Sequence, residues 1–296
     1  MQQKPTNEAS QYLLRLAKRN AQAYIAQPST KAIIVTGSAV EGLSDLYSDV
    51  DMIVYHDELP TEEALLMACQ QNQGEGRRLF GELSSDAMME TYLVHGVECQ
   101  VAHTTITAWE RDMASVLEQF DVTSPLQKAL SGLLEAQPLY GEPLIRQWQA
   151  KIADYPDGLA LAMVEHYLAF TPIWGLQGRF AVRDATIWEH QLVVEAAYHL
   201  LGLLAGLNRL YYTSFQFKRM HHFVEQMHIT PLDLASRLDA IFHRNFTSAT
   251  MELKNLFQEA VTLVEQVMPT VDTTAAQQKI AWQQQAWTLR SEEGNP

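Results

Sequence analysis

Two aspartates separated by one residue, Asp49 and Asp51, sit in the stretch IIVTGSAVEGLSDLYSDVDMIVY, from Ile33 to Tyr55. Residues i and i+2 of a strand point to the same side of a sheet, so the two carboxylates are expected to share one small volume. Carboxylates that close repel each other, and a hard divalent cation relieves the repulsion. Mg²⁺ suits the role, because it takes oxygen ligands and is held by one or two carboxylates together with phosphate oxygens. Upstream, Gly37 lets the backbone come close to an anion, and Ser38 adds a hydroxyl beside the exposed amides. The stretch therefore offers a phosphate seat and a metal seat about one loop apart. Asp-x-Asp after Ser is also good turn composition, since these side chains hydrogen-bond their own backbone. Val50, Met52, Ile53 and Val54 nevertheless continue as a strand, which a turn would not do.

The elements that would position these groups are two strands on either side of the Gly-Ser turn, preceded by a helix over about 8–25. Pro60-Thr61-Glu62-Glu63 predicts a further helix start, with Thr61 as cap, ending near Gly74. Arg77 and Arg78 follow as a pair read mainly as solvated, with phosphate contact the lesser reading. Met88 to Val94 and Val97 to His103 predict two strands joined at His95-Gly96, whose glycine suits a hairpin. In the second of them, Glu98 and Gln100 share a face opposite Val97, Cys99 and Val101. Helices are expected over 109–120, 127–136 and 142–153, with Pro138-Leu139-Tyr140-Gly141 as an interruption.

Gly37-Ser38, a ten-residue interval, then Asp49-Val50-Asp51 on an apolar strand resembles the signature of the nucleotidyltransferase superfamily, which includes DNA polymerase β. The wording GSAVEG…SDVD is most similar to the bacterial aminoglycoside and lincosamide nucleotidyltransferase type. The motif covers about fifteen residues, and the likeness extends more weakly over most of the chain. The resemblance implies an α+β protein: a mixed sheet with flanking helices in a catalytic domain, 1–155, then a helical acceptor-binding bundle, 156–270, and a tail or terminal helix, 271–296. It implies Mg²⁺ on Asp49, Asp51 and Glu98, with Glu98 as third carboxylate and general base. Related sequences often put that acid nearer the position of Gln100, and an amide cannot act as a base. Gly37 and Ser38 would grip the phosphates of a nucleoside triphosphate, with ATP the expected donor. The reaction implied is transfer of the nucleoside monophosphate to a hydroxyl of a small molecule, with release of pyrophosphate. A catalytically silent nucleotide-binding regulator, or a protein-modifying adenylyltransferase of toxin–antitoxin type, are the alternatives.

Composition narrows the field. The chain has 296 residues, 47% of them apolar and 19% charged, enough to bury a substantial core. Its net charge of −14 opposes extended nucleic-acid binding and suits cationic partners only as a whole-molecule tendency. The two cysteines, Cys69 and Cys99, fit neither a zinc motif nor a disulfide framework, so a reducing, cytoplasmic setting is expected. No apolar run reaches the roughly 20 residues of a membrane span.

The second half carries almost no strand signal. Helical patterns run over about 158–180, 185–207, 215–227, 232–244 and 248–267, with Pro172 and Gly175 expected to split the first. Short loops between them predict antiparallel packing. LNRLYYTSFQFKRMHHF, from Leu207 to Phe223, concentrates polar groups. There the resemblance implies that Asn208, Tyr211 and Lys218 face a nucleotide or its acceptor. A helix link is normally polar, which is the competing reading. Glu165, His166, Glu189, His190 and Glu195 could form an acidic patch for a cationic sugar, against the ordinary reading of solvated helix faces. Arg237 and His243 have a spacing that resembles HEPN ribonuclease helices, in a pattern too short to be selective.

Overall fold

Asn7 accepts a hydrogen bond from the Ser10 amide and so caps helix α1 (Glu8–Ile25), whose inner stripe buries Leu13, Leu16, Ala17 and Tyr24. That stripe is laid on a sheet. A computed structural model describes residues 7–81, 86–215 and 217–288, and the chain divides into two units, 1–155 and 156–296.

The first unit is built on six strands: β1 (Thr30–Thr36), β2 (Val50–His56), β3 (Glu75–Phe80), β4 (Ala87–Val94), β5 (Val97–Thr105) and β6 (Gln137–Tyr140). Their order is β3-β4-β5-β2-β1-β6, with only β2 and β5 paired in parallel among the neighbours. Between β1 and β2 lies a short helix, α2 (Ser38–Glu41), where the sequence predicted a turn. Helix α3 (Glu62–Gln71) starts as expected on a Thr61 cap that accepts from the Ala64 amide. The strand period then sorts side chains onto two faces. One face buries Ile33, Val35, Val50, Met52, Val54, Cys99 and Val101 against α1 and α3. Each such side chain is worth about 1.5–3 kcal/mol when fully removed from water, so this face holds the register.

The same buried face carries a polar chain. Glu90 is fully buried and accepts from Tyr24 Oη at 2.6 Å and from Arg77 Nε at 2.6 Å. His103 Nε2 lies 3.4 Å from Glu90, and His103 Nδ1 shares a 3.1 Å hydrogen bond with His56 Nε2. Asn72 donates to the Tyr92 hydroxyl at 3.1 Å, and Tyr92 in turn meets Tyr24. Arg77 is thus drawn inward, not solvated as the sequence suggested.

On the opposite face, α4 (Ile106–Leu117) packs on β5, and α5 (Leu126–Glu135) and α6 (Glu142–Ala153) pack on β1. Tyr55, Trp109 and Trp148 fill the angle between them. Two strands differ from expectation. The residues around Arg77 and Arg78 form β3, and the PLYG interruption contains β6, which pairs with β1.

The second unit is helical: α7 (Asp157–Tyr167), a 3₁₀ turn (Ile173–Leu176), α8 (Gln177–Phe180), α9 (Thr186–Leu207), α10 (Met220–Glu225), α11 (Leu234–Ile241), α12 (Phe246–Val267) and α13 (Thr274–Ala281). The predicted split near Pro172 is present. Helix α10 is far shorter than its predicted span, because Thr213 to Phe215 and Phe217 to Arg219 lie outside any helix, with Gln216 outside the described residues, and Arg219 takes a left-handed φ of 61°. A Cβ on Gly202 would stand 2.5 Å from the Tyr167 ring, which is how α7 and α9 come close enough to bury each other. Among the described residues, no helix is long and apolar enough to cross a membrane.

Candidate functional site

Strand β1 ends at Thr36, and Gly37 then turns the chain with φ 72° and ψ −156°, a region open essentially to glycine alone. A Cβ there would lie 2.6 Å from Asp51 Oδ2, so the bend passes directly over that carboxylate. The backbone angles are what require glycine here, and a side chain would in addition force the Asp51 carboxylate to move. Ser38 follows at the start of α2. Its Oγ pairs with Ser44 Oγ at 3.1 Å, and its carbonyl accepts from Ser10 Oγ at 3.4 Å. Asn7 and Ser10 also bind the Ser44 backbone, so the start of α1 pins the loop that leads to the aspartates. Beyond Ser44 the loop opens. Leu46 and Tyr47 are 95% and 99% exposed, three and two residues ahead of Asp49.

Asp51 lies in β2, opposite Thr36 on one side and Gln100 on the other. Asp49 sits one residue ahead of β2. Its Oδ2 accepts a 2.8 Å hydrogen bond from Gln100 Nε2, which brings its carboxylate to the face that carries Asp51 and Gln100. Both aspartates are half-buried. The structure therefore gathers Gly37, Ser38, Asp49, Asp51 and Gln100.

Glu98 lies at the edge of that group. It is exposed and pairs with Leu93 across β4, one same-face step from Gln100, so the sheet register seats the amide and not the acid beside Asp51. Among the described residues, no three His, Cys, Asp or Glu side chains are grouped to hold a metal ion. The side chain directly opposite Asp51 is thus an amide, with Glu98 one same-face step along β5. What the sequence did not show was the β2–β5 register, which decides between Glu98 and Gln100. The alternation of β5 had already placed both on one face.

The expected contributors from the helical unit take different roles. Asn208 spends its whole amide on structure: Nδ2 donates to the Leu204 and Ile229 carbonyls, and Oδ1 accepts from the His228 and Ile229 amides, all at 2.7–2.8 Å. Tyr211 is 4% exposed and belongs to the core. Asn208 thereby holds the link after α9, and Tyr211 is packed within its unit. Lys218 is exposed on the loop before α10. Arg237 forks between Glu252 and Glu259, which gives it a structural task in place of a ribonuclease one. Gln191 donates to Glu195, and His190 Nδ1 to the Thr186 carbonyl, as on ordinary helix surfaces.

No protein-family model matches the chain, and no curated protein matches it. Among solved structures, a nucleotidyltransferase-like protein from Exiguobacterium sibiricum 255-15 is similar over 88% of this chain and 81% of its own, with 14% sequence identity and a TM-score of 0.40. A superposition that loose does not reach side-chain chemistry. The chemistry of the site is argued from this chain's own residues.

Proposed function

We propose that the chain is a Mg²⁺-dependent nucleotidyltransferase that moves AMP from ATP to a hydroxyl of a small molecule. The observation that carries this reading is the placement of Asp49 and Asp51 on one face, beneath a glycine bend that a side chain would close. Two half-buried carboxylates, with open coordination left for phosphate oxygens, are a donor set that suits Mg²⁺. When bound, the ion would stabilise charge on the attacking and leaving oxygens of an in-line displacement.

Asp49 and Asp51 would hold the ion, and the Gly37 backbone and the Ser38 hydroxyl would orient the triphosphate. Gln100 fixes the rotamer of Asp49. The acceptor oxygen bonds to the α-phosphorus as the bond from that phosphorus to the bridging oxygen breaks. Pyrophosphate leaves with the electron pair, and the hydroxyl proton passes to Glu98 or to water.

A second reading is favoured by Gln100 itself. With an amide where a third acid would complete the site, the chain could bind nucleotide without turning it over. Pyrophosphate release over a panel of hydroxyl acceptors, with calorimetry of ATP binding, tests both. Asp49→Asn and Asp51→Asn are expected to abolish Mg²⁺-dependent release. Undiminished turnover in either aspartate variant refutes the transferase reading, and tight ATP binding with no product from any acceptor selects the silent one.

A further inference from the structure

The reaction proposed above needs a hydroxyl oxygen at the α-phosphorus, and the chain carries several hydroxyls of its own around Asp49 and Asp51. Most of them are engaged or out of reach. Thr36 Oγ1 donates to the Gly132 carbonyl at 2.9 Å, and Ser38 Oγ pairs with Ser44 Oγ at 3.1 Å. Ser48 Oγ accepts from the Asp45 amide at 2.9 Å and donates to Asp45 Oδ1 at 3.2 Å. Thr91 lies opposite Gln100, two strand spacings or about 10 Å from Asp51, a gap its short side chain does not cross.

Tyr47 differs from all of these. Its side chain is almost wholly exposed, and among the described residues its hydroxyl has no hydrogen-bond partner. Its backbone is nevertheless fixed. The Tyr47 amide donates to Asp45 Oδ1 at 2.9 Å, and the Ser48 amide to the Asp45 carbonyl at 3.2 Å. The loop therefore holds the Tyr47 backbone in place and leaves the ring free to turn among its rotamers. Two residues of chain span at most about 7 Å, and a tyrosine side chain is nearly that long, so the hydroxyl comes within reach of the space beside Asp49.

Tethering decides between this hydroxyl and a free one. An acceptor carried on the same loop as Asp49 meets the phosphorus by an intramolecular step, which saves the translational and rotational entropy that a free acceptor gives up.

We infer that Tyr47 is an adenylyl acceptor for its own chain, its Oη bonding to the α-phosphorus of ATP as the bond from that phosphorus to the bridging oxygen breaks. Pyrophosphate leaves with the electron pair, and the phenolic proton passes to water. The tyrosine is left joined to AMP through a phosphodiester. Attack takes place within one chain, because the loop that carries the hydroxyl runs directly into Asp49.

The inference rests on the transferase reading for its chemistry, and the test separates the two. Full-length protein is incubated with Mg²⁺ and ATP, and the adduct is followed by intact mass and peptide mapping, beside pyrophosphate release over the acceptor panel. One adenylyl group per chain is expected, on Tyr47, formed at a fractional rate that dilution of the protein leaves unchanged. Tyr47→Phe and Asp51→Asn each abolish the adduct with circular dichroism unaltered, and an Asp51→Asn chain mixed with the parent protein stays unmodified. An adduct that persists in Tyr47→Phe, or one that appears on the Asp51→Asn chain in the mixture, would overturn the assignment. Release with small-molecule acceptors and no adduct would also overturn it and leave the transferase reading standing. An adduct on Tyr47 with no turnover of any small molecule would uphold the assignment and remove the small-molecule acceptor. ATP bound with neither release nor adduct would end both.

Discussion

Gln100 Nε2 donates to Asp49 Oδ2 at 2.8 Å from a position directly opposite Asp51 on the neighbouring strand, so one amide stands beside both aspartates. The bond offsets part of the repulsion that an ionised Asp49 meets and fixes its carboxylate on the residue opposite Asp51. It also gives the site a preformed shape, which lowers what a ligand must spend on ordering side chains.

Gln100→Glu replaces a donor by a third negative charge. The variant is expected to melt at lower temperature than the parent in metal-free buffer, because like charges at one site disfavour one another. Millimolar Mg²⁺ should restore stability, since binding to the folded state alone stabilises by mass action. Calorimetric scans with and without Mg²⁺ decide it. A variant whose melting ignores Mg²⁺ would count against a metal seat at these aspartates.

Gly37→Ala meets two obstacles at once. The backbone would hold alanine at φ 72° and ψ −156°, and the new methyl would sit 2.6 Å from Asp51 Oδ2. Backbone strain of this kind costs on the order of 1–3 kcal/mol, so the urea midpoint should fall accordingly. Combining it with Asp51→Ala removes the clash and not the strain. The double variant is therefore expected to lose less than the sum of the two single losses.

Stability should also decline with acid through a defined window. Burial, and then the neighbouring His103, push the His56 imidazole from its ordinary 6.5 down to about 3. Between those values the unfolded chain takes up a proton that the folded chain refuses, so stability falls as pH drops, by up to about 1.4 kcal/mol per pH unit. Glu90 adds to the loss at the lower end. Burial works to raise its carboxyl, but hydrogen bonds from His103, Tyr24 and Arg77 outweigh this and hold it below the usual value. Its contribution is present above the ordinary carboxylate range and disappears as pH falls through the folded value. His56→Asn should flatten the upper part of the curve in urea titrations from pH 7 to 4. An unchanged slope would remove His56 from the account.

Asn208→Ala strips the link after α9 of four hydrogen bonds and leaves the His228 and Ile229 amides without that partner. Unsatisfied groups of this kind cost about 1–3 kcal/mol each when buried, less where water reaches them. A clear drop in melting temperature is expected, with nucleotide affinity unchanged. Loss of affinity without loss of stability would return Asn208 to the ligand site.

The sequence by itself determined the order of the elements, the strand character around Ile33 and Ile53, the helical second half and the pairing of Asp49 with Asp51. These follow from local periodicity and from turn residues, which act over a few positions. It left β3 and β6 unread, because a short edge strand such as Glu75–Phe80 has only one buried face and little alternation to display. Only the tertiary structure decided that Gln100 and not Glu98 stands beside Asp51, that Arg77 turns inward while Arg78 faces out, and that Asn208 is a clamp. Each of those depends on how strands distant in sequence slide into register, and hydrophobic burial on the α1 side of the sheet sets that register for both faces together.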